Sequence, residues 1–307
     1  MPSPFSPSDA ALAIFPFTKR DRNYVLKFAA LSAAIMVATT AIGTITGVNA
    51  DLNKIIEAQG TLQGNNDAAM ALFESLNWPG ILFLSLVQIA FGTVMLASAL
   101  RKTVFSQETK MWGLALGADE IRLVLAQLAA FGVFLLAYAL ILVGVGILIA
   151  IGTAISAAFP SGGAAGVIGG LLGVAIVVVA LCFILTVLVR LSLFGVVTHA
   201  EQRINVRSWI GQTKGAFWEL MGAYLLWGLI AIVFSLIGSG LFGWIGGAMG
   251  GSTSVQPTTL GALFQPGNLV NLVLKGALTG FITLGSVCVG AFAWHQMQAN
   301  ATKAIDA

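Results

Sequence analysis

Apolar residues run through this chain in blocks whose lengths suit a bilayer, separated by shorter polar stretches. The blocks lie at roughly 25–48, 78–100, 123–151, 167–190, 218–240 and 269–293, each at or above the ~20 residues with which a helix crosses the hydrocarbon layer. Between Arg122 and Arg190 there are 67 consecutive residues without Asp, Glu, Lys or Arg. That run is long enough for two crossings, joined by a tight turn around Pro160-Ser161-Gly162-Gly163. Backbone N–H and C=O groups inside lipid must be satisfied by protein, and blocks of this length, about twice what a spanning strand needs, read as helices. The predicted fold class is therefore all-α, a polytopic integral membrane bundle of six transmembrane helices forming a single domain over 1–307.

The stretches between blocks carry their own patterns. Ser8-Asp9 precedes Ala10 to Phe17, which reads as a short capped interfacial helix with Phe15 and Phe17 on its apolar face. The amphipathic segment 49–77 predicts two short helices over one end of the bundle, and 243–268, with Pro257 and Pro266, is either a loop or a re-entrant segment. Lys275 falls in the sixth block, close enough to its predicted start for the side chain to snorkel to the interface.

Charge then orients the set. Of the 15 Lys and Arg residues, all but Lys54 and Lys275 fall in the N-terminal tail, the connectors 101–122 and 191–217, the C-terminal tail, or, for Lys27 and Arg190, at the block ends adjoining them, so the positive-inside rule places both termini in the cytoplasm. Composition agrees with a lipid solvent: 9% of residues are charged and 58% hydrophobic, against roughly 25% charged in a soluble domain. A pI of about 9.0 does not indicate nucleic acid, because the cations are dispersed among apolar segments rather than gathered on a basic module.

Little in the chain suggests covalent chemistry. Cys182 and Cys288 are the only cysteines, each inside an apolar run, which excludes a disulfide framework. His199 and His295 lack a His, Cys or acidic residue four positions away, so no metal site or cofactor is expected. The chain contains no GxSxG, HExxH or GxxxxGK[ST] motif. Gln88, Gln127, Asn268 and Asn271 are the larger polar groups of the predicted spans; a carboxylate relay for coupled transport is missing, whereas a passive path is compatible. Glycine pairs such as Gly276 and Gly280 point to close helix packing, inside one bundle or at a homo-oligomer seam.

The richest polar stretch is 190–219, RLSLFGVVTHAEQRINVRSWIGQTKGAFWE. Asn205 is the expected N-cap of a helix carrying Arg207 and Trp209. Trp beside Arg and Lys suits the headgroup layer, where a basic residue near an anionic surface is worth about 1 kcal/mol. The candidate contacts for lipid headgroups or a protein partner are Arg122, Arg190, Arg203, Arg207, Trp209, Lys214 and Trp218. The other connector holds a similar Trp112 and Gly117-Ala118-Asp119-Glu120, a weak internal repeat.

Arg190-Leu191-Ser192-Leu193, Arg203, Ser208-Trp209, Thr213-Lys214-Gly215 and Phe217-Trp218 resemble the multi-pass membrane domain attached to some bacterial glycerophosphodiester phosphodiesterases and its free-standing relatives. The catalytic barrel of those enzymes, with its metal-binding residues, has no counterpart here. The resemblance implies a Gram-negative inner-membrane setting and a link to lipid metabolism, without the hydrolytic activity. The expected function is a non-enzymatic membrane protein whose basic connectors bind anionic lipid headgroups or a membrane-protein partner. The competing expectations are a permease or channel for a small or amphiphilic molecule, and a lipid-modifying enzyme using His199 or His295.

Overall fold

The hydrophobic blocks fold as helices that outrun them at most of their ends. The computed structural model describes residues 5–58, 66–105, 117–158, 163–251 and 256–305. In chain order the helices are α1 (Pro7–Ala11), α2 (Ile14–Arg20), α3 (Arg22–Ile45), α4 (Val48–Ala58), α5 (Asn66–Ser75), α6 (Trp78–Phe105), α7 (Ala118–Ala158), α8 (Gly163–Leu191), α9 (Phe194–Glu201), α10 (Val206–Gln212), α11 (Phe217–Ala248), α12 (Leu260–Leu263) and α13 (Pro266–Ile305). No strand occurs among the described residues. Six helices, α3, α6, α7, α8, α11 and α13, are long and apolar enough to cross a membrane, and the chain is a multi-pass membrane protein.

Hydropathy marks the lipid-immersed part of a helix, but the helix itself ends where a cap or a breaker ends it. The sixth block, predicted over 269–293, is thus the middle of the 40-residue α13, about 60 Å long. Pro79 and Pro266 stand in the first turns of α6 and α13, where a missing N–H loses no intrahelical bond.

The N-terminal segment departs from the expected interfacial helix. It forms two short helices, α1 capped by Ser6 Oγ accepting from the Asp9 N–H, and they tuck into the bundle. Positions 15 and 17 are two apart and so face different ways: Phe17 is buried and Phe15 exposed. Leu12, Ala13 and Phe17 share one cavity wall with Cys288, Ala291, Phe292 and His295 of α13, so α1, α2 and the later part of α13 lie at the same end. This is the basic end of the bundle; α4, α5 and α12 lie at the far end. The turn expected at Pro160 to Gly162 lies outside the described residues.

Helix α3 packs along α13, with α6 and α11 beside them. A Cβ on Gly276 would stand 2.6 Å from the Ala33 Cα, and one on Gly280 2.6 Å from the Ser32 Cβ. The expected small-residue pair is therefore an internal seam, where missing side chains let two backbones approach and gain dispersion contacts. A second seam joins α11 to α13: the Trp227 ring lies over Gly285, and its Nε1 donates to Ser286 Oγ at 3.0 Å. Helices α7 and α8 stand at the periphery with large apolar side chains outward, among them Leu128, Phe131, Leu136 and Val177, as lipid contact requires.

At the far end α4 and α5 match the two predicted short helices, although among the described residues only α4 buries side chains. Asp51 organises this corner, accepting from the Asn77 N–H and from Lys54 Nζ, both at 2.8 Å. Within 243–268 the described residues form the end of α11, a turn and the short α12. Helix α11 ends at Ala248, Gly251 N–H donates to Gly246 O at 2.8 Å, and α12 leads into α13.

Gly276→Val should destabilise the purified protein by about 1–3 kcal/mol through overpacking, read as a lower Tm. Gly228→Ala, where an added Cβ meets nothing within 4 Å, should not lower Tm. The Lys54 ammonium, with the Asn77 N–H, holds the Asp51 carboxyl below its ordinary value. Its contribution is therefore complete above the ordinary carboxylate pKa and declines as pH falls through the lowered one. Tm measured from about pH 6 down to about pH 3 should fall more steeply for the native protein than for Asp51→Asn.

Candidate functional site

At the basic end the charges divide into those that hold the fold and those left exposed. Glu120 is the third residue of α7; its Oε2 accepts from the Gly117 N–H at 2.9 Å, half of a capping box. Its Oε1 takes the Arg101 guanidinium of α6, and both side chains are largely buried, so loss of either partner would leave an uncompensated charge worth roughly 3–5 kcal/mol. Lys102 Nζ reaches Asp21 Oδ1 at 2.9 Å and Arg20 Nε reaches Asp21 Oδ2 at 2.8 Å. The Arg20 and Lys102 side chains hold the Asp21 carboxyl below its ordinary value.

Each sequence-nominated contact can be placed against this network. Arg122 pairs with Asp119 at 3.0 Å and donates to Gln202 Oε1, pinning the left-handed residue that ends α9. Arg190 donates to Ile210 O at 3.3 Å and Thr213 Oγ1 at 3.2 Å, and lies 5.3 Å from the Phe217 ring centroid; it clamps the C-terminal end of α10. Arg203 pairs with Glu201 at 3.0 Å. Glu201 also accepts from Ser208 Oγ and from Gln212 Nε2, so α9 and α10 form one unit. Asn205 caps α10 as expected, accepting from the Ser208 N–H at 3.2 Å. Arg207 and Lys214 are exposed and make no ion pair among the described residues.

The two tryptophans part company. Trp218 is 71% exposed, as a headgroup contact needs, whereas Trp209 is 0% exposed and its Nε1 has no hydrogen-bond partner. Trp209 as a headgroup contact is therefore corrected. Helix α10 lies against α8 and α9, and its apolar face turns the indole inward beside Phe194, with ring centroids 6.0 Å apart. Trp112 and Lys110 of the other connector lie outside the described residues, so the repeat has no structural counterpart to compare.

His199 is buried and His295 lines the cavity beside α2 with Arg20 and Asp9. Among the described residues no group of three His, Cys, Asp or Glu side chains could hold a metal.

The far end holds a feature that the spacing of polar residues does not disclose. A cavity of about 280 Å³ lies between α3, α6 and α13 beneath α4, with Thr39, Thr40, Asn49, Gln88, Gln256, Asn268, Asn271 and Lys275 in its walls. Its roof is tied down by Asn49 Nδ2 donating to Pro257 O at 3.1 Å and Asn53 Nδ2 donating to Gln256 O at 2.9 Å. Gln88 and Asn271 thus share a space, but Gln127 accepts from Thr93 Oγ1 at 3.0 Å and lines a separate apolar cavity with Phe131 and Phe134.

Neither a family model, nor a curated protein, nor a solved structure matches this chain.

Trp209→Ala should lower stability by about 3–5 kcal/mol, the range for emptying a large buried aromatic, while Trp218→Ala should leave Tm nearly unchanged. Thermal unfolding of both variants in one detergent checks the contrast.

Proposed function

We propose that this protein is a non-enzymatic component of a bacterial inner membrane, with both termini cytoplasmic, that engages anionic lipid headgroups through its basic end. The carrying observation is the division of charge. Arg20, Arg101, Lys102, Arg122 and Arg203 are neutralised within the fold. Lys19, Arg22, Lys27, Arg207 and Lys214 are exposed and pair with no carboxylate among the described residues. Cations at the level where helices leave the hydrocarbon meet phosphates as their nearest counter-ions, and each contributes about 1 kcal/mol near an anionic leaflet. Exposed Trp218 adds an aromatic ring suited to that layer. The resemblance of 190–218 to a membrane domain found with glycerophosphodiester phosphodiesterases agrees with a lipid-linked setting.

A permease or channel has one supporting observation, the cavity shared by Gln88 and Asn271. Gln127 lies in a different cavity, so the polar path that such a reading requires is not continuous among the described residues. A protein partner remains the other occupant suited to the free cations.

Changing Arg207 and Lys214 together to Gln should weaken binding to phosphatidylglycerol nanodiscs or retained anionic lipid by about 2 kcal/mol, with the loss shrinking at high salt. Native mass spectrometry reads the retained lipid. Equal retention by the native protein and the double variant would remove the lipid reading, and co-purification of a stoichiometric polypeptide released by the same substitutions would replace it with a partner.

A further inference from the structure

We infer that the far-end cavity is a binding site for a small oxyanion that also carries a hydroxyl or N–H donor. Three residues of α13, Asn268, Asn271 and Lys275, line it at spacings of three and four, which sets them on one helix face. Lys275 is ten residues into α13, about 13 Å along its axis. It is half-buried and makes no ion pair among the described residues. The Asp51 carboxylate of α4 is engaged by Lys54 and the Asn77 N–H. An ammonium in such partly apolar surroundings is unfavourable unless a negative charge joins it.

A second observation is independent of that charge. Asn271 is 6% exposed and its Oδ1 has no hydrogen-bond partner. A buried acceptor left bare is destabilising by about 1–3 kcal/mol; Asn271 lines the cavity with part of its side chain, and a donor on a ligand satisfies the oxygen once the amide rotates toward the space. Turning the amide over would exchange a bare acceptor for a bare donor and leave the same need. Three other polar walls are already occupied. Thr39 and Thr40 donate to backbone carbonyls of their own helix, and Asn49 holds the roof. Gln88, from α6, supplies an amide with no side-chain hydrogen bond among the described residues.

The arrangement selects by chemistry and by size. Lys275 neutralises the oxyanion, Asn271, rotated toward the space, accepts from its donor, and Leu84, Leu272 and Met36 form an apolar wall. At about 280 Å³ the space is at the lower limit of small-molecule sites. It suits a carboxylate or phosphate group with a short substituent. The same chemistry is offered by a free anion and by the phosphate of a lipid entering from the far-side leaflet. The inference stands apart from the basic end and does not depend on it.

The test uses the native full-length chain in dodecyl maltoside, which carries no anionic group. Lys275 is acylated with a soluble amine-reactive ester and followed by peptide mass spectrometry, with Lys214 as internal reference. Inorganic phosphate or lactate should slow Lys275 labelling severalfold and leave Lys214 unaffected, and Asn271→Leu should abolish the protection. Protection by phosphatidylglycerol but by neither soluble anion assigns the site to a lipid phosphate. No protection by any of the three overturns the inference. If Lys275 resists the reagent throughout, calorimetric titration with phosphate decides. Binding weakened about tenfold by Lys275→Gln supports the site, while absent or unchanged binding rejects it. Should that variant fail to fold, Gln88→Leu on the exposed α6 position takes its place.

Discussion

The contact between α3 and α13 is the constraint on which the rest of the arrangement depends. Lipid does not drive apolar helices together as water does, so the association must come from close packing. Gly276 and Gly280 provide it by presenting bare backbone to Ser32 and Ala33. Trp227, lying over Gly285 and bonded to Ser286, holds α11 to the same helix. Helix α13 is thereby contacted on two sides, and α6 closes a third. Farther along, Thr39, Thr40, Asn271 and Lys275 replace the small residues, and the helices enclose a cavity between them. The packed seam and the polar space are consequences of side-chain size along one pair of helices.

Electrostatics follow the same economy at the other end. Burial of Glu120 requires Arg101, and Glu120 also completes the N-terminus of α7. Asp21 joins Arg20 to Lys102 and so ties the α2–α3 junction to α6. Glu201 gathers Arg203, Ser208 and Gln212. Every one of these carboxylates serves tertiary structure, which leaves Arg207 and Lys214 of the connector, with Lys19, Arg22 and Lys27 of the N-terminal segment, as surplus positive charge. A cluster of basic residues in a connector therefore contains two populations, and only one is available to an outside ligand.

Several features were legible from the residues alone, each because a local rule governs it. Asn205 as an N-cap, two short helices within 49–77 and six long apolar helices all depend on neighbours in the chain. The ends of α7 and α13 were not legible, because hydropathy reports solvent and not hydrogen-bond continuity. The single N-terminal helix was also misjudged: α1 and α2 owe their separation and burial to packing against α11 and α13. Trp209 looked like an interfacial residue beside Arg207, and only the placement of α8 and α9 turned it inward.

Length, periodicity and charge by themselves determined that this chain is an all-helical, six-span membrane protein with nearly all its cations at one end. These are properties summed along a single segment against its solvent. Tertiary structure alone decided which cations are neutralised, which tryptophan is buried, and that residues as distant in sequence as Asn49 and Pro257 close one cavity. Such outcomes depend on pairs of segments meeting in space, and a polar residue carries the same local signature whether its partner is the backbone, another helix or a ligand.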